Sequence, residues 1–345
     1  MLDRVLVFIA KHAGVLPERL VRGLFLCAAD IAWLTRAGGV RQLERNLAHV
    51  LHGRDTLQHQ GVFAAIKRRL RLRHVSHQAM RSYFTYFSEA MTVGGRSDEC
   101  LTARVRGEGP GCARIIETTR VQDGSAPIVL GHQGNWDYAG YWAHHDVAPV
   151  TTVAERLDNE ALLKTFVDIR KSLGISILLT GQHGLIGKLE EALDEPHVLV
   201  PLLADRDLSR HGEFVHAFGS MIRVARGPAT LAYDTGLPLY VVNMYRERLH
   251  GARRKQARTP YGYVCRVSDP IDMSSFADLP REQAIHDISQ AWVDVWSRGI
   301  AEHPQDWHML QPIFIEDLDL SRLKDVPDEV LELIGRRNGG ASALH

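Results

Sequence analysis

The chain has 345 residues, which is long enough to bury a large core in one domain or in two closely packed ones. Lys plus Arg and Asp plus Glu both total 41, so no net charge favours nucleic acid, and we expect no nucleic-acid partner. The four cysteines show no C-x-x-C spacing, and we expect reduced thiols, with no disulfide framework and no zinc site.

Residues 1–95 carry helical patterns. Apolar residues recur at three- and four-residue steps in "LVRGLFLCAADIAWL", "RQLERNLAHVL" and "HVSHQAMRSYFTYFSEAM". We predict no signal peptide, because charged residues interrupt the apolar stretch of "MLDRVLVFIAKHAG". We also predict no membrane-spanning helix, because "LVRGLFLCAADIAWL" contains Arg22 and Asp30 and has only 15 residues. That stretch has two interpretations. The pattern favours a helix that faces the core, and the alternative is a helix that lies in a membrane interface.

From about residue 100, short β-rich runs alternate with helical stretches. The predicted strands are "APIVL", "VTTVAE", "ISILL", "HVLVPLL", "LPLYVVNMY" and "YGYVCRV". The alternation predicts an α/β fold with a central, mostly parallel β-sheet flanked by α-helices. "DISQAWVDVWSRGIAEHP" and "VPDEVLELIGRR" are predicted as the last helices. The sequence thus predicts an N-terminal helical segment at 1–95, an α/β core at 96–335 and a flexible tail at 336–345, in one integrated domain.

The loop "GHQGNWDYAG" at 131–140 follows the predicted strand "APIVL" directly and carries a histidine and an aspartate. An isolated histidine is more often structural, but three features favour catalysis. The carboxyl ends of strands in α/β sheets are where ligands bind. Gly131 and Gly134 allow a substrate to approach the backbone closely. Asp137 is placed to bond one ring nitrogen of His132, which leaves the other nitrogen to accept a proton.

The loop also lacks features that other catalysts need. No G-x-S-x-G motif is present and no serine or cysteine lies near His132, so we expect the nucleophile to be a hydroxyl of the substrate. His144, His145 and Asp146 supply metal-ligand types next to His132 and Asp137, but their spacings match no zinc or di-iron motif. We therefore expect no catalytic metal, and a metal-dependent hydrolase is the alternative.

Five blocks in a fixed order resemble one family. "HQGNWD", "TVAERL", "LLADRDLSRHGEFVHAFG", "RVARGPATLAYDTGLPL" and "HPQDWHML" are similar to blocks of the H-x-x-x-x-D lipid acyltransferases. Within them, the chain resembles the lipid A late acyltransferases and, most closely, the actinobacterial phosphatidylinositol mannoside acyltransferases. The resemblance extends from about residue 38 to residue 310. "HPQDWHML", "LLADRDL" and the predicted lack of a spanning N-terminal helix favour the mannoside branch.

The resemblance implies a mechanism. The histidine, His132, removes a proton from a sugar hydroxyl, which attacks the thioester of an acyl carrier, and Asp137 orients the ring. A second acid supports the histidine; Asp205 matches it best, and Asp207 is a competitor. Backbone N–H groups of "GHQGN" are expected to stabilise the oxyanion. No cofactor is implied beyond acyl-CoA as a co-substrate.

The same blocks imply substrate-binding side chains. Arginines among them are suited to carrier phosphates, because a guanidinium group makes bidentate phosphate contacts. An ion pair with a neighbouring aspartate is the alternative for Arg206. The implied residues are Glu155, Arg156, Arg170, Arg206, Arg223 and Arg226.

The resemblance therefore implies a peripheral enzyme at the cytoplasmic face of the cell membrane that moves an acyl group from acyl-CoA to a mannose of phosphatidylinositol mannoside. A lipid A-type enzyme that uses acyl carrier protein is one alternative, and a non-enzymatic lipid-binding module is another. Apolar and basic N-terminal residues are expected to bind the membrane surface. They are Val5, Leu6, Phe8, Ile9, Leu24, Phe25, Leu26 and Trp33, with Lys11, Arg19, Arg22 and Arg36.

Overall fold

The computed structural model describes residues 16–53, 62–156, 158–207, 209, 211–323 and 326–341. Five of the residues predicted to bind the membrane lie outside these ranges, namely Val5, Leu6, Phe8, Ile9 and Lys11. The remaining seven, Arg19, Arg22, Leu24, Phe25, Leu26, Trp33 and Arg36, lie on or directly after the first described helix.

The described chain alternates helices and strands from residue 98 onward, as the sequence predicts. The helices are α1 (Glu18–Thr35), α2 (Val40–His52), α3 (Val62–Thr92), α4 (Asp98–Arg104), α5 (Pro110–Arg120), α6 (Trp136–Trp142), α7 (Glu160–Ser172), α8 (Leu185–Asp194), α9 (Gly227–Thr235), α10 (Gly251–Ala257), α11 (Arg281–Glu302) and α12 (Asp328–Ala341). The strands are β1 (Val105–Glu108), β2 (Ala126–Leu130), β3 (Val150–Ala154), β4 (Ile175–Leu179), β5 (Leu199–Leu203), β6 (Glu213–Ala217), β7 (Ser220–Val224), β8 (Tyr240–Arg248) and β9 (Tyr261–Val267).

A seven-stranded sheet in the order β1-β9-β8-β2-β5-β3-β4 forms the centre of the molecule. All neighbouring pairs are parallel except β8 and β9, which are antiparallel. This confirms the predicted α/β fold. Every residue of β2 is buried, because helices cover both faces of the sheet at its centre. The carboxyl ends of β2 and its parallel neighbour β5 therefore reach the same edge, where the loop at 131–135 begins.

The two faces of the sheet belong to different parts of the core. On one face, Val129 packs in a cluster with Trp292 and Trp296 of α11. On the other, Ile128 and Leu130 pack with Tyr138 and Trp142 of α6 and with Cys265 of β9, among others. Alternate residues of β2 thus face opposite layers, as the period of a strand requires.

The N-terminal helices are attached to this core by side-chain contacts. Helix α1 lies antiparallel on α3, where Phe25 contacts Phe84 and the Trp33 indole N–H donates to Ser76 Oγ at 3.0 Å. The inner face of α1 therefore agrees with the core-facing interpretation. The outer face is exposed, and its contact with a membrane stays a prediction. Within the described ranges, no helix is long and apolar enough to span a membrane.

Parts of the structure differ from the sequence-based prediction. Strand β1 and the antiparallel pair β6–β7 were not among the predicted strands. Phe218 and Gly219 join β6 to β7 with φ angles of 52° and 72°, which is the backbone geometry of a tight hairpin turn. Helix α12 continues to Ala341, into the stretch predicted as a flexible tail.

Candidate active site

The loop after β2 is shaped by two glycines. A Cβ atom at Gly131 would lie 2.5 Å from Trp296 Nε1 and 2.9 Å from Asp205 Oδ2, so only glycine fits without a shift. Gly134 adopts a φ of 64°, which favours glycine. These glycines bring the backbone of His132 against the end of β5, where Asp205 lies.

The His132 ring is held by Asp205. The two side chains are joined by Nδ1 and Oδ1 at 2.6 Å, and the backbone N–H of His132 donates to Asp205 Oδ2 at 2.9 Å. The indole N–H of Trp307 donates to the same Oδ2 at 2.9 Å. Asp205 is fully buried, whereas the His132 side chain retains 20% of its exposure and lines a cavity. This arrangement holds the Nδ1 edge of the ring, while the side chain remains partly accessible from the cavity.

The charge state of Asp205 follows from these contacts. Burial opposes the ionised form, but the positive charge on His132 and the hydrogen bonds from His132 and Trp307 outweigh it and lower the pKa of Asp205. An ionised carboxylate only accepts hydrogen bonds, so Nδ1 of His132 carries a proton. When the imidazole is neutral, Nε2 is therefore the nitrogen without a proton, which is the form a general base requires.

The lowered pKa of Asp205 predicts a pH dependence of stability. Because the folded state holds this carboxylate more strongly than the unfolded state, its contribution is complete above the ordinary pKa and is lost as the pH falls below about 4. We expect the free energy of unfolding to fall less steeply between about pH 4 and pH 2 in Asp205→Asn than in the wild type. Urea titrations at several pH values measure this difference, and equal slopes would contradict it.

The predicted contact between His132 and Asp137 is wrong. Asp137 Oδ1 accepts from Nε of Arg170 at 2.7 Å, and Oδ2 accepts from the hydroxyl of Tyr86 at 3.1 Å. Asp137 lies in the first turn of α6, whose N-cap residue Asn135 accepts a hydrogen bond from the Tyr138 N–H. This helical start turns Asp137 towards α7. Asp205 takes the position beside the ring that the sequence assigned to Asp137. A role for Asp137 in catalysis stays a prediction.

The Asp137–Arg170 pair is expected to contribute strongly to stability. The Asp137 side chain is 3% exposed, so Arg170→Met would leave a buried carboxylate without its countercharge. Removal of one partner from such a pair costs about 3–5 kcal/mol of unfolding free energy, and we expect about 3 kcal/mol because Arg170 is only partly buried. In the double variant Asp137→Asn with Arg170→Met, most of this loss should be recovered. Urea unfolding measures both, and a double variant no more stable than the single one would contradict the pairing.

The alternative considered for Arg206, an ion pair with a neighbouring aspartate, does not form. Arg206 Nη2 lies 3.2 Å from Glu155 Oε2, and its Nη1 donates to Gln311. Asp207 instead forms an ion pair of 2.7 Å with the buried Arg223. The chain bends at residues 205 and 206, so the two aspartates do not share one face of a strand. Asp205 Oδ1 lies 2.6 Å from His132 Nδ1, whereas the Asp207 carboxylate is bound by Arg223. Asp205 is therefore the acid that supports the ring.

The structure brings only some of the predicted binding residues to the cavity. Those that line it are Glu155, Arg156, Arg170 and Arg206. Arg223 is buried beside Asp207, and Arg226 pairs with Glu282 at 2.6 Å and Glu213 at 3.6 Å; neither lines the cavity. Substrate binding by any of these six residues stays a prediction.

The predicted oxyanion donors in "GHQGN" are largely occupied. The N–H of His132 donates to Asp205, that of Gln133 to Gly131 O at 2.8 Å, and that of Gly134 to Asp306 O at 2.8 Å. These amides shape the loop by binding the 306–308 segment and the loop itself. In this arrangement the amides of His132, Gln133 and Gly134 are therefore not free to bind an oxyanion.

The cavity beside His132 has a volume of about 940 Å³, in the range of pockets that bind small organic ligands. One part extends from His132 between the sheet and α6, over Leu130, Ile128, Val242 and Cys265. Gly140 and Trp142 of α6 close the opposite wall. The apolar lining of this part suits a hydrocarbon chain, whereas Glu155, Arg156 and Arg206 provide charge elsewhere in the cavity.

Several residues of the site were missed in the sequence. Tyr86 and Trp136 line the cavity and stack with ring centroids 3.9 Å apart, and His308 lies beside them. Trp307 and His308 belong to the block "HPQDWHML", which was noted only for its resemblance. No local pattern marks Tyr86, because it is one of several aromatic residues on a long helix. Within the described part of the chain, no three His, Cys, Asp or Glu side chains are grouped as metal ligands.

Comparisons with known proteins identify the family of the chain. The family model "Bacterial lipid A biosynthesis acyltransferase" matches residues 2–315. A phosphatidylinositol mannoside acyltransferase of Mycolicibacterium smegmatis is 34% identical over 89% of this chain and 89% of its own length. One of Mycobacterium tuberculosis is 33% identical over 89% of this chain and 86% of its own length. The crystal structure of a 1-acyl-sn-glycerophosphate acyltransferase from Thermotoga maritima aligns over 83% of this chain and 96% of that chain at 16% identity, with a TM-score of 0.35.

Proposed function

The chain belongs to the bacterial lipid A biosynthesis acyltransferase family and is an O-acyltransferase, and we propose that it moves a fatty acyl group from acyl-CoA to a mannose hydroxyl of a phosphatidylinositol mannoside. The two mycobacterial relatives, both phosphatidylinositol mannoside acyltransferases, support this acceptor. The observation that carries the chemistry is the 2.6 Å contact between His132 Nδ1 and the buried Asp205 carboxylate, because it holds Nε2 ready to accept a proton.

The proposed reaction is a direct transfer. Nε2 of His132 removes the proton of the mannose hydroxyl while the hydroxyl oxygen attacks the thioester carbonyl carbon. The tetrahedral intermediate then collapses, the carbon–sulfur bond breaks, and the imidazolium of His132 returns the proton to the leaving thiolate. Asp205 stabilises the imidazolium through the Nδ1 hydrogen bond. The products are an ester on the sugar and free coenzyme A.

The cavity supports the proposed donor. The acyl chain would lie in the apolar part between the sheet and α6, with its thioester at His132. Arg156 is exposed at the same cavity, and Arg206 lines it with a side chain that is 19% exposed. Guanidinium groups suit the phosphates of coenzyme A. They suit the single phosphate of an acyl carrier protein's prosthetic arm as well, so the donor must be decided by assay.

The experiment is a thiol-release assay with defined substrates. The protein is incubated with palmitoyl-CoA and either phosphatidylinositol dimannoside or phosphatidylinositol, which lacks mannose. We expect thiol release to require the mannoside. A parallel reaction with palmitoyl acyl carrier protein should be slower. Faster reaction with the carrier protein would reassign the donor, and equal release with both lipids would contradict a mannose acceptor.

We also propose that α1 and the start of α3 contact the membrane surface. Leu20, Leu24, Ile31 and Leu34 form one exposed apolar stripe along α1, each more than half exposed. Phe63, Ile66 and Leu70 are exposed on the first turns of α3, together with basic residues. The exposed basic residues there are Lys67, Arg69 and Arg71. An apolar stripe beside positive charge is the pattern of a peripheral helix on an anionic bilayer.

This proposal predicts the behaviour of surface variants with vesicles. Leu24→Ser with Ile31→Ser should weaken sedimentation with phosphatidylglycerol-containing vesicles by about tenfold or more, since burial of each side chain contributes roughly 1.5–3 kcal/mol when complete. Val121→Ser with Leu331→Ser is the matched control, because these residues are also exposed and lie on other elements. Equal vesicle binding by the two double variants would contradict the assignment. Circular dichroism checks that both remain folded.

A further inference from the structure

A second histidine, His308, lies beside the general base and has no role in the reaction as described. Its backbone N–H donates to the carbonyl of His132 at 2.7 Å, so the two residues are fixed relative to each other. The His308 side chain lines the cavity, is 5% exposed, and has its ring centroid 6.0 Å from that of Trp136 and 5.5 Å from that of Tyr83.

The hydrogen bonds around Ser82 define which nitrogen of His308 carries the proton. The Ser82 hydroxyl donates to Asp306 Oδ1 at 2.8 Å. Its single proton is thereby used, so Ser82 Oγ accepts from Nε2–H of His308 at 3.0 Å. Burial, together with the charges of His132 and Arg246, lowers the pKa of His308 to about 3. The ring is therefore neutral near pH 7, with the proton on Nε2 and a lone pair on Nδ1.

Nδ1 of His308 is an acceptor that the protein does not use. It is buried and has no hydrogen-bond partner within the described residues, although most buried polar groups have one. Nε2 of the same ring is linked through Ser82 to Asp306. The other oxygen of that carboxylate, Oδ2, accepts from the backbone N–H of Arg246 at 3.1 Å. The chain thus fixes the ring orientation and leaves one buried acceptor unpaired on a ring that lines the cavity.

We propose that Nδ1 of His308 accepts a hydrogen bond from an O–H or N–H group of a substrate bound in this cavity. The inference rests on the proposed acyl transfer. Two substrate groups have this chemistry, namely a second hydroxyl of the acceptor sugar and an amide N–H of the pantetheine arm of the donor. In either case His308 is a binding residue that positions a substrate next to His132, and it takes no part in proton transfer.

Two amide variants separate this role from a structural one. In His308→Asn, the side-chain oxygen can occupy the Nδ1 position, whereas the contact with Ser82 is lost. In His308→Gln, the amide can reach Ser82, whereas no acceptor remains at the Nδ1 position. We expect His308→Gln to raise the KM for one substrate by about 3- to 10-fold, the loss typical of one neutral hydrogen bond. His308→Asn should keep that KM within about twofold of the wild type.

Varying each substrate in turn identifies the source of the donor group. A higher KM for the dimannoside assigns the contact to a sugar hydroxyl, and a higher KM for palmitoyl-CoA assigns it to the pantetheine arm. If His308→Asn raises the KM more than His308→Gln does, or if both variants keep wild-type KM values, the proposal is overturned. The melting temperature of each variant is measured alongside, because a purely structural role for the Ser82 contact would lower that of His308→Asn and leave both KM values unchanged.

Equilibrium binding keeps the test independent of turnover. The probes are a palmitoyl-CoA thioether, which cannot transfer its acyl group, and phosphatidylinositol dimannoside, each followed by calorimetry. His308→Gln should bind one probe about 3- to 10-fold more weakly than His308→Asn. This result would support the contact even if the wild type formed no acylated product, in which case the proposed reaction alone would fail. Equal affinities of both variants for both probes would overturn the contact.

Discussion

His132→Ala is expected to lower the rate of acyl transfer by about 10²–10⁴-fold, the usual contribution of a general base. The ring is the only described group at the cavity that is both held by a buried carboxylate and left with an unprotonated nitrogen. Because the acyl chain would bind along the sheet, the affinity for palmitoyl-CoA should change little. Steady-state thiol release with saturating dimannoside measures the rate, and calorimetry with the thioether measures the affinity.

The control for this variant is His145→Ala. His145 is exposed, pairs only with Asp146 among the described acidic residues, and lies outside the cavity lining. It should retain the wild-type rate, which shows that loss of a histidine by itself is harmless. A rate for His132→Ala within threefold of the wild type would remove the general-base assignment.

Asp205→Asn is expected to lower the turnover number by roughly 10³–10⁴-fold, by analogy with the loss seen when the aspartate of a serine protease triad becomes asparagine. The backbone N–H of His132 and the indole of Trp307 both donate to Oδ2, so the amide oxygen will take that position. The amide N–H₂ then faces Nδ1 of His132 and donates to it. The proton of the ring moves to Nε2, where it blocks proton removal from the hydroxyl.

The fingerprint of this variant is a loss in kcat with little change in KM, because Asp205 lies behind the ring and outside the cavity lining. The ¹⁵N resonances of the His132 ring report the tautomer directly and should exchange their assignments in Asp205→Asn. An unchanged tautomer with a large loss in kcat would show that Asp205 acts in another way. A turnover number within tenfold of the wild type would show that it has no such role.

The alternation of strands and helices was enough to predict the sheet, because several of its strands are short runs of mostly apolar residues. "APIVL", "ISILL" and "YGYVCRV" are strands β2, β4 and β9 with the boundaries predicted. The hairpin β6–β7 was not predicted, because its turn contains Phe218. This residue has a φ of 52°, a conformation that is uncommon for phenylalanine, so the sequence gives no signal for the turn. The reversed direction of β9 relative to β8 has no local signal either.

The candidate site shows where sequence spacing fails. His132 was predicted from its place after a strand, and the structure puts it at the sheet edge beside the cavity. Its partner was misassigned because five residues of separation say nothing about the direction of a side chain once a helix begins at Trp136. Asp205 is 73 positions away and reaches the ring through the neighbouring strand β5, a relation that only strand order provides. The resemblance to the acyltransferase family pointed to Asp205 as the second acid. The strand order explains how this residue reaches the His132 ring.

The hydrogen-bond network around Glu89, beneath the loop at 131–135, could not be predicted from the sequence. Glu89 of α3 accepts from Asn135, from Tyr263 and from Arg22 at 3.0, 2.7 and 2.8 Å. It thereby connects the cap of α6 with β9 and with the proposed membrane-facing helix α1. These four residues come from distant parts of the chain, and each has an ordinary local context.

The most direct measurement is tandem mass spectrometry of the lipid formed from palmitoyl-CoA and phosphatidylinositol dimannoside. The account predicts one added palmitoyl group, with fragments that place it on a mannose ring, in the wild type and not in His132→Ala. Free palmitate as the main product, or a palmitoyl group on the glycerol or inositol moiety, would contradict it.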